Sequence, residues 1–343
     1  MAHGSGRATL AAVAASAGVS IATASKVLNG RSDVSASTRA RVKDALQQHQ
    51  YVGRRPEPVG RTTVELCLQG VLNSYSVEVV QGVLDAGGLA GVDVVVSTHP
   101  RSGRAGPWVR NVIAAGRQAV IGVVCQLSAS DLSALAQARL PLVVIDPLNV
   151  AQPDVTSVGS TNFSGGMVAT EYLLSLGHRS IAYLGGPVTA GCNQARMHGF
   201  RGAMERAGVP VRDEYVRCRD FLYADGLAGA AVLLDLPQPP TAIFAGSDEV
   251  ALGVIEAARG RGLRVPEDLS VVGFDDTQAA CLASPQLTTV RQPLRAMGAV
   301  ALRTALKLAA GEDVDSHHVE LATELVVRGS AAPILSPASV VAL

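Results

Sequence analysis

The chain has 343 residues, of which 48% are apolar and only 3% aromatic, with 29 basic and 29 acidic side chains. That length predicts two or three domains, and so apolar a composition excludes an intrinsically disordered chain, which needs low hydrophobicity and high net charge. A net charge of zero, taken alone, argues against a nucleic-acid partner, because phosphate contact needs a local excess of Lys and Arg. The distribution reverses that reading. Residues 1–61 carry nine basic and three acidic side chains, a charge of +6, and the rest of the chain, with 20 basic and 26 acidic, carries −6. A short basic segment ahead of a large acidic body points to polyanion binding; a solvated basic tail is the alternative that charge leaves open.

Three short helices are expected first. Thr9 caps a helix with Leu10, Val13, Ala14 and Ala17 at helical spacing, closed by Gly18. Ser20 caps a second, Ile21 to Leu28, stopped by Asn29-Gly30, with Val19, Val27 and Leu28 assigned to the core. Ser35 starts a third, with Val42, Ala45 and Leu46 on one face and Arg39, Arg41 and Lys43 projecting elsewhere. Two helices across a tight Gly-Val-Ser turn, closed by a third, follow the helix-turn-helix plan. This assigns residues 1–50 to an all-α headpiece. Residues 51–62, with Pro56, Pro58 and Gly60, form a hinge or linker.

Beyond the linker, residues 63–343 alternate β-rich and helical runs. Strands are expected at Val64–Leu68, Val92–Ser97, Ala119–Val124, Leu142–Asp146, Ile181–Leu184, Ala242–Ala245 and Val271–Phe274, with helices between them such as 77–86, 165–176 and 249–259. Such alternation predicts α/β architecture with doubly wound parallel sheets. About 270 residues exceed one open sheet, so the body divides near Gly159 into two lobes: residues 63–159 with 292–320, and 160–290 with 321–332. Ligands of such folds sit outside the C-terminal strand ends, here the cleft between the lobes.

Other signals are weak. Five scattered cysteines with no Cys-x-x-Cys spacing read as reduced thiols of a cytoplasmic protein. Ala15-Ser16-Ala17 imitates a signal-peptide cleavage site behind a stretch too weakly apolar to act as one, and no apolar run is long enough to span a membrane. His317-His318 has no spaced partners and reads as surface rather than a metal site. Nor does the sequence hold a P-loop, a Gly-x-Ser-x-Gly elbow, a His-Glu-x-x-His or a dinucleotide fingerprint, so neither an enzyme nor a bound cofactor is expected.

The stretches LAAVAASAGVSIATASKVLNG and VSASTRARVKDAL resemble the DNA-binding headpiece of the lactose-repressor (LacI/GalR) family. LGHRSIAYLGGP, ARMHGFRGAM, GLRVPEDLSVVGFDD and LTTVRQP resemble, in order, motifs of its periplasmic-binding-protein-like core. The resemblance runs from about Thr9 to Arg328. It implies that Ile21 to Leu28 is a recognition helix in the major groove. Ser20, Thr23 and Ser25 are then placed to hydrogen-bond phosphates, Thr9 is a further DNA-binding residue, and Ile21, Ala22 and Lys26 read base edges: Lys26 by donating to guanine, the other two by apolar contact with thymine methyl groups. Packing of Ile21 and Ala22 against the first helix is the alternative. Asn29 matches a family Asn at the DNA. The linker departs from the family, being about four residues shorter and without the usual minor-groove Leu; Arg54 and Arg55 take either the minor groove or the phosphates.

The resemblance also implies a small-molecule site in the cleft. Arg196 and Asp275 grip hydroxyls as donor fork and acceptor, Asp146 faces them from the first lobe, Gln292 lies at a crossover, and Tyr75 and Phe221 supply walls. Ser247-Asp248 stands where relatives have Asn-Asp, so one amide contact is lost. A helix-capping role for Asp248, an Arg196–Asp275 structural ion pair and a core position for Phe221 are the alternatives. The implied function is a homodimeric transcriptional repressor of carbohydrate utilisation genes. It binds a double-stranded, pseudo-palindromic operator and is switched by a sugar effector through a population shift. A secreted sugar-binding protein is the competing reading, disfavoured by the helical, basic N-terminus.

Overall fold

A computed structural model describes residues 9–28, 34–49, 51, 62–70, 72–99, 106–125, 127–147 and 155–334. The chain forms two compact units, Met1–Val59 and Gly60–Leu343.

In the first unit, helices α1 (Leu10–Ser16), α2 (Ile21–Leu28) and α3 (Ala36–Gln48) begin at hydroxyl caps. Thr9 Oγ1 accepts from the Ala12 N–H at 3.2 Å, Ser20 Oγ from Thr23 at 3.1 Å, and Ser35 Oγ from Thr38 at 3.3 Å. Each bond satisfies an amide the helix leaves open. Gly18, at φ +62°, makes the turn between α1 and α2, a conformation that costs glycine little. The core is small and alanine-rich: Val13, Ala14, Ala17, Ala24, Val27, Val42 and Ala45 are buried, with Val19, Leu46 and Tyr51 packed on them. Leu28 departs from its expected core position. It is 38% exposed, because α2 buries Ala24 and Val27 and its last residue turns outward.

The second unit holds two six-stranded sheets of the same internal order. The first lobe has β1 (Thr63–Gln69), β2 (Asp93–His99), β3 (Ala119–Val123), β4 (Leu142–Ile145), β5 (Thr156–Ser160) and β11 (His318–Leu321), arranged β2-β1-β3-β4-β5-β11 and all parallel. The second has β6 (Ile181–Gly185), β7 (Val216–Cys218), β8 (Ala242–Ala245), β9 (Ser270–Asp275), β10 (Thr288–Arg291) and β12 (Glu324–Val326), arranged β7-β6-β8-β9-β10-β12, with only β12 antiparallel. Helices α4 (Ser74–Ala90), α5 (Gly106–Ala114), α6 (Ala129–Gln137) and α12 (Leu294–Ala310) belong to the first lobe, and α7 (Asn162–Ser175), α8 (Gly191–Arg206), α9 (Tyr223–Leu234), α10 (Asp248–Arg259) and α11 (Gln278–Leu282) to the second. The chain crosses between lobes at Thr161, after Arg291 and after Leu321.

Glycine sets how closely three helix pairs pack. A Cβ on Gly166 of α7 would lie 2.3 Å from the Arg196 carbonyl oxygen of α8, and one on Gly199 of α8 would lie 2.2 Å from the Phe163 carbonyl of α7. The same reciprocal approach joins α4 to α12 through Gly82 and Gly298, and α9 to α10 through Gly226 and Gly253. Gly166→Ala is therefore expected to destabilise the core by about 1–3 kcal/mol through overpacking, read by urea unfolding of the full chain. An unchanged midpoint would mean that the two helices separate freely.

His178, just beyond the end of α7, ties the C-terminal segment to the second sheet. Its Nε2 lies 3.1 Å from the Ala332 carbonyl, which can only accept, so Nε2 carries the proton and Nδ1 accepts from the Thr241 hydroxyl at 2.9 Å. Burial holds its pKa below the ordinary imidazole value. The folded chain thus favours the neutral ring: this contribution is whole above the unfolded pKa of about 6.5 and is lost as pH falls through the lower folded value. Between pH 7.5 and 5 the melting temperature should fall more steeply in the wild type than in His178→Asn; parallel curves would remove His178 as the cause.

Candidate functional site

On α2 of the first unit, Ile21 is 55% exposed, and Ala22 and Lys26 are exposed. Buried Ala24 and Val27 hold the opposite face against α1 and α3. Ile21 and Ala22 therefore do not supply the packing against the first helix considered above. Ser20 and Thr23 hydroxyls lie 2.9 Å apart at the start of α2, and Ser25 is half-buried. Asn29, Arg54 and Arg55 lie outside the described residues.

In the second unit, the C-terminal strand ends of both lobes face a shared open cleft. Strand order reverses beside β1 in one lobe and β6 in the other, which leaves a crevice at each switch point. Backbone at these strand ends is unusual: Val124, Asp146 and Asp275 hold φ of +51°, +44° and +120°. Such geometry costs of order 1–3 kcal/mol per residue and gathers at functional sites.

Arg196 is the hub. It is 3% exposed; Nε donates to Asn162 Oδ1 at 2.8 Å, Nη1 to the Gly246 carbonyl at 2.6 Å, and Nη1 lies 3.8 Å from Asp275 Oδ1. The guanidinium sits 3.8 Å from the centre of the Phe274 ring and 5.5 Å from that of Phe221, a cation–π arrangement strengthened by desolvation. Phe221 is not a core residue: it is partly exposed and lines the cleft, its ring occupying the space a side chain at Gly186 would need. Across the cleft the Tyr75 hydroxyl donates to Asp146 Oδ2 at 2.6 Å.

Burial raises the carboxyl pKa of Asp146 and, more strongly, of Asp275, against the pull of Arg196 on both. Gln292 acts through Asp275. Its amide donates to Asp275 Oδ1 at 2.6 Å while its Oε1 accepts from Ser160 at 2.6 Å, locking two lobe crossovers together.

Asp248 does not cap α10; Ser247 does, accepting from the Val250 N–H at 3.2 Å. Both Asp248 oxygens are occupied, Oδ1 by Thr289 and Oδ2 by the Thr277 amide and hydroxyl, at 2.6–2.9 Å. Burial pushes this carboxyl up to about 7, against those three bonds. Among the lining residues that sequence reasoning missed are Asn73, Ser74, Cys192 and Glu249. Asn73 and Ser76 form a capping box at the start of α4, a signal the sequence carried. Glu249 reaches across the cleft, its Oε1 accepting from the Ser74 N–H at 3.0 Å, a contact no local pattern announces. Trp108 lies on α5, donating to Ser97, away from the cleft. His317 and His318 hydrogen-bond Thr156 and Ser157, and no metal-holding cluster occurs among the described residues.

A helix-turn-helix unit joined to a two-lobed core with a polar inter-lobe cleft defines a ligand-responsive DNA-binding regulator. Residues 9–53 match the model of bacterial regulatory proteins of the lacI family, and residues 170–331 that of a periplasmic binding protein-like domain. Catabolite control protein A of Priestia megaterium is 32% identical over 331 residues, 94% of this chain and 98% of that protein. The structure of the transcriptional regulator CelR–cellobiose complex is 34% identical, covers 95% of this chain and 100% of its own, and superposes with a TM-score of 0.74. The lac repressor dimer bound to operator and an anti-inducer is 28% identical with the same coverage and a TM-score of 0.72. The chain belongs to the lacI family and is a DNA-binding transcriptional regulator. No single described helix is long and apolar enough to cross a membrane.

Proposed function

We propose that this regulator is a cytoplasmic, homodimeric repressor of carbohydrate utilisation genes, without enzymatic activity, whose operator affinity is switched by a sugar in the inter-lobe cleft. The proposed division is residues 1–50 for DNA, 51–62 for the hinge, and 63–343 for effector binding and dimerisation. The observation that carries the effector reading is the convergence of Arg196, Asp275, Asp146 and Tyr75 on one cleft at the switch points of both sheets. The cellobiose held by CelR supports a sugar over other small molecules. Arg196, Asp146, Asp275, Tyr75 and Phe221 are assigned to the ligand; Gln292, Ser247 and Asp248 hold the strand ends and helix starts in place. On DNA, Ile21, Ala22 and Lys26 are assigned to base edges, and Ser20, Thr23 and Ser25 to phosphates. Thr9, Arg54, Arg55 and Asn29 complete the proposed DNA contacts.

Fluorescence anisotropy on the chain's own promoter DNA, with and without mono- and oligosaccharides, tests this reading. It fails if no sugar alters a measurable operator affinity. Lys26→Ala is expected to weaken specific binding by about 1–3 kcal/mol and to relax one operator position; an equal loss on random DNA would make Lys26 a phosphate contact.

A further inference from the structure

Resting on the effector reading above, we propose that the cleft takes an uncharged polyhydroxylated ligand and turns away phosphorylated or carboxylated ones, with Glu249 as the residue that sets this choice. Among the described residues lining the cleft, Asp146, Asp248, Glu249 and Asp275 are acidic and Arg196 alone is basic. Arg196 spends Nε on Asn162 and Nη1 on Gly246 and Asp275, which leaves Nη2 for a ligand hydroxyl. Of the four carboxylates only Asp248 has both oxygens engaged. Asp146 uses Oδ2 for Tyr75, Asp275 uses Oδ1 for Gln292, and Glu249 uses Oε1 for Ser74. The second oxygen of each accepts no hydrogen bond from a described residue. Three free acceptors thus sit around one cleft. A ligand hydroxyl gives such an oxygen a donor and brings no charge, whereas a phosphate or carboxylate at neutral pH brings mostly further acceptors and, beside Glu249, like charge.

Helix starts would ordinarily favour an anion here, since α4, α8 and α10 begin at the cleft and their open amides attract negative charge. The starts of α4 and α10 are partly taken by the chain's own groups. At α4 the Ser76 amide is capped by Asn73 and the Ser74 amide by Glu249; at α10 the Val250 amide is capped by Ser247. Glu249 occupies, from the opposite lobe, the place at α4 where a ligand phosphate would bind. It fills that place with a carboxylate of the chain's own.

The test is calorimetric titration of the full-length protein with matched pairs: glucose and glucose 6-phosphate, ribose and ribose 5-phosphate, cellobiose and cellobionic acid, with inorganic phosphate alone. The neutral member of a pair should bind and its anionic partner should bind about ten-fold or more weakly, or about 1.4 kcal/mol, with no binding of inorganic phosphate. Glu249→Gln keeps an oxygen for the Ser74 amide and removes the charge. It should narrow the neutral-to-anionic ratio by about three-fold or more, and an unchanged ratio would overturn the role of Glu249. Neutral and anionic partners bound alike by the wild type would overturn the selectivity while leaving the sugar reading standing. Failure of every neutral member to bind a folded, DNA-binding protein would overturn both.

Discussion

Replacing Arg196 by alanine is expected to destabilise the core by about 3–5 kcal/mol and to abolish the effector response. The size follows from what the guanidinium leaves behind. Asp275, with Oδ1 3.8 Å from Nη1, is 5% exposed, and Asp146 is equally buried; burial raises both carboxyl pKa values, and what holds the rise back is Arg196 and the Gln292 bond at Asp275, and the Tyr75 bond and Arg196 at Asp146. Removing one member of a buried ion pair strands its partner, a loss much greater than the net value of the pair. Asn162 Oδ1 and the Gly246 carbonyl also lose their donors, and the space between the Phe221 and Phe274 rings is emptied. Urea unfolding of wild type and variant measures the stability, and operator anisotropy with and without ligand measures the response. Arg196→Lys separates the two effects, because it restores charge but not the planar fork. It should recover part of the stability and little of the response. An Arg196→Ala variant within about 1 kcal/mol of wild type would show that the cleft carboxylates protonate or hydrate at little cost.

The headpiece was legible because its signals are local. Hydroxyl caps, one glycine at positive φ and apolar spacing within 40 residues fixed three helices to within a residue or two, and only Leu28 was misplaced. Buried parallel strands were legible for the same reason, as short β-branched runs between turn signals. The strands without a signal were β5, β7, β10, β11 and β12. β5, Thr-Ser-Val-Gly-Ser, is fully buried although it has a single large apolar residue. β11 and β12 lie at sheet edges and keep the polar composition that edges tolerate.

In the cleft, Arg196, Asp146 and Asp275 stood out through resemblance, and the roles of their neighbours did not. Whether Asp248 caps a helix or binds two threonines depends on a loop 29 residues away and a strand 41 residues away. Glu249 and Ser74 are 175 residues apart, and their contact exists only because the two lobes face each other. Charged residues whose partners lie in another lobe have no local pattern to betray them.

Operator affinity is expected to fall by about 10³–10⁵ between 50 and 200 mM salt, while a chain beginning at Thr62 binds operator and random DNA with no preference and little affinity. The argument starts from the zero net charge of the whole chain, which is +6 over residues 1–61 and −6 beyond. Counterion release depends on the phosphates neutralised at the contact and ignores charge elsewhere on the protein, so the acidic core does not cancel the basic segment. A dimer presents that segment twice. Six to ten phosphate contacts give a slope of log affinity against log salt of about −5 to −9 and the stated loss. The acidic core, lacking any such excess, is repelled by the duplex. Anisotropy titrations at four or five salt concentrations give the slope, and the same titrations on the shortened chain give its residual binding. A slope shallower than about −3, or specific binding by the shortened chain, would require DNA contacts from the core and would remove the basic segment as the source of affinity.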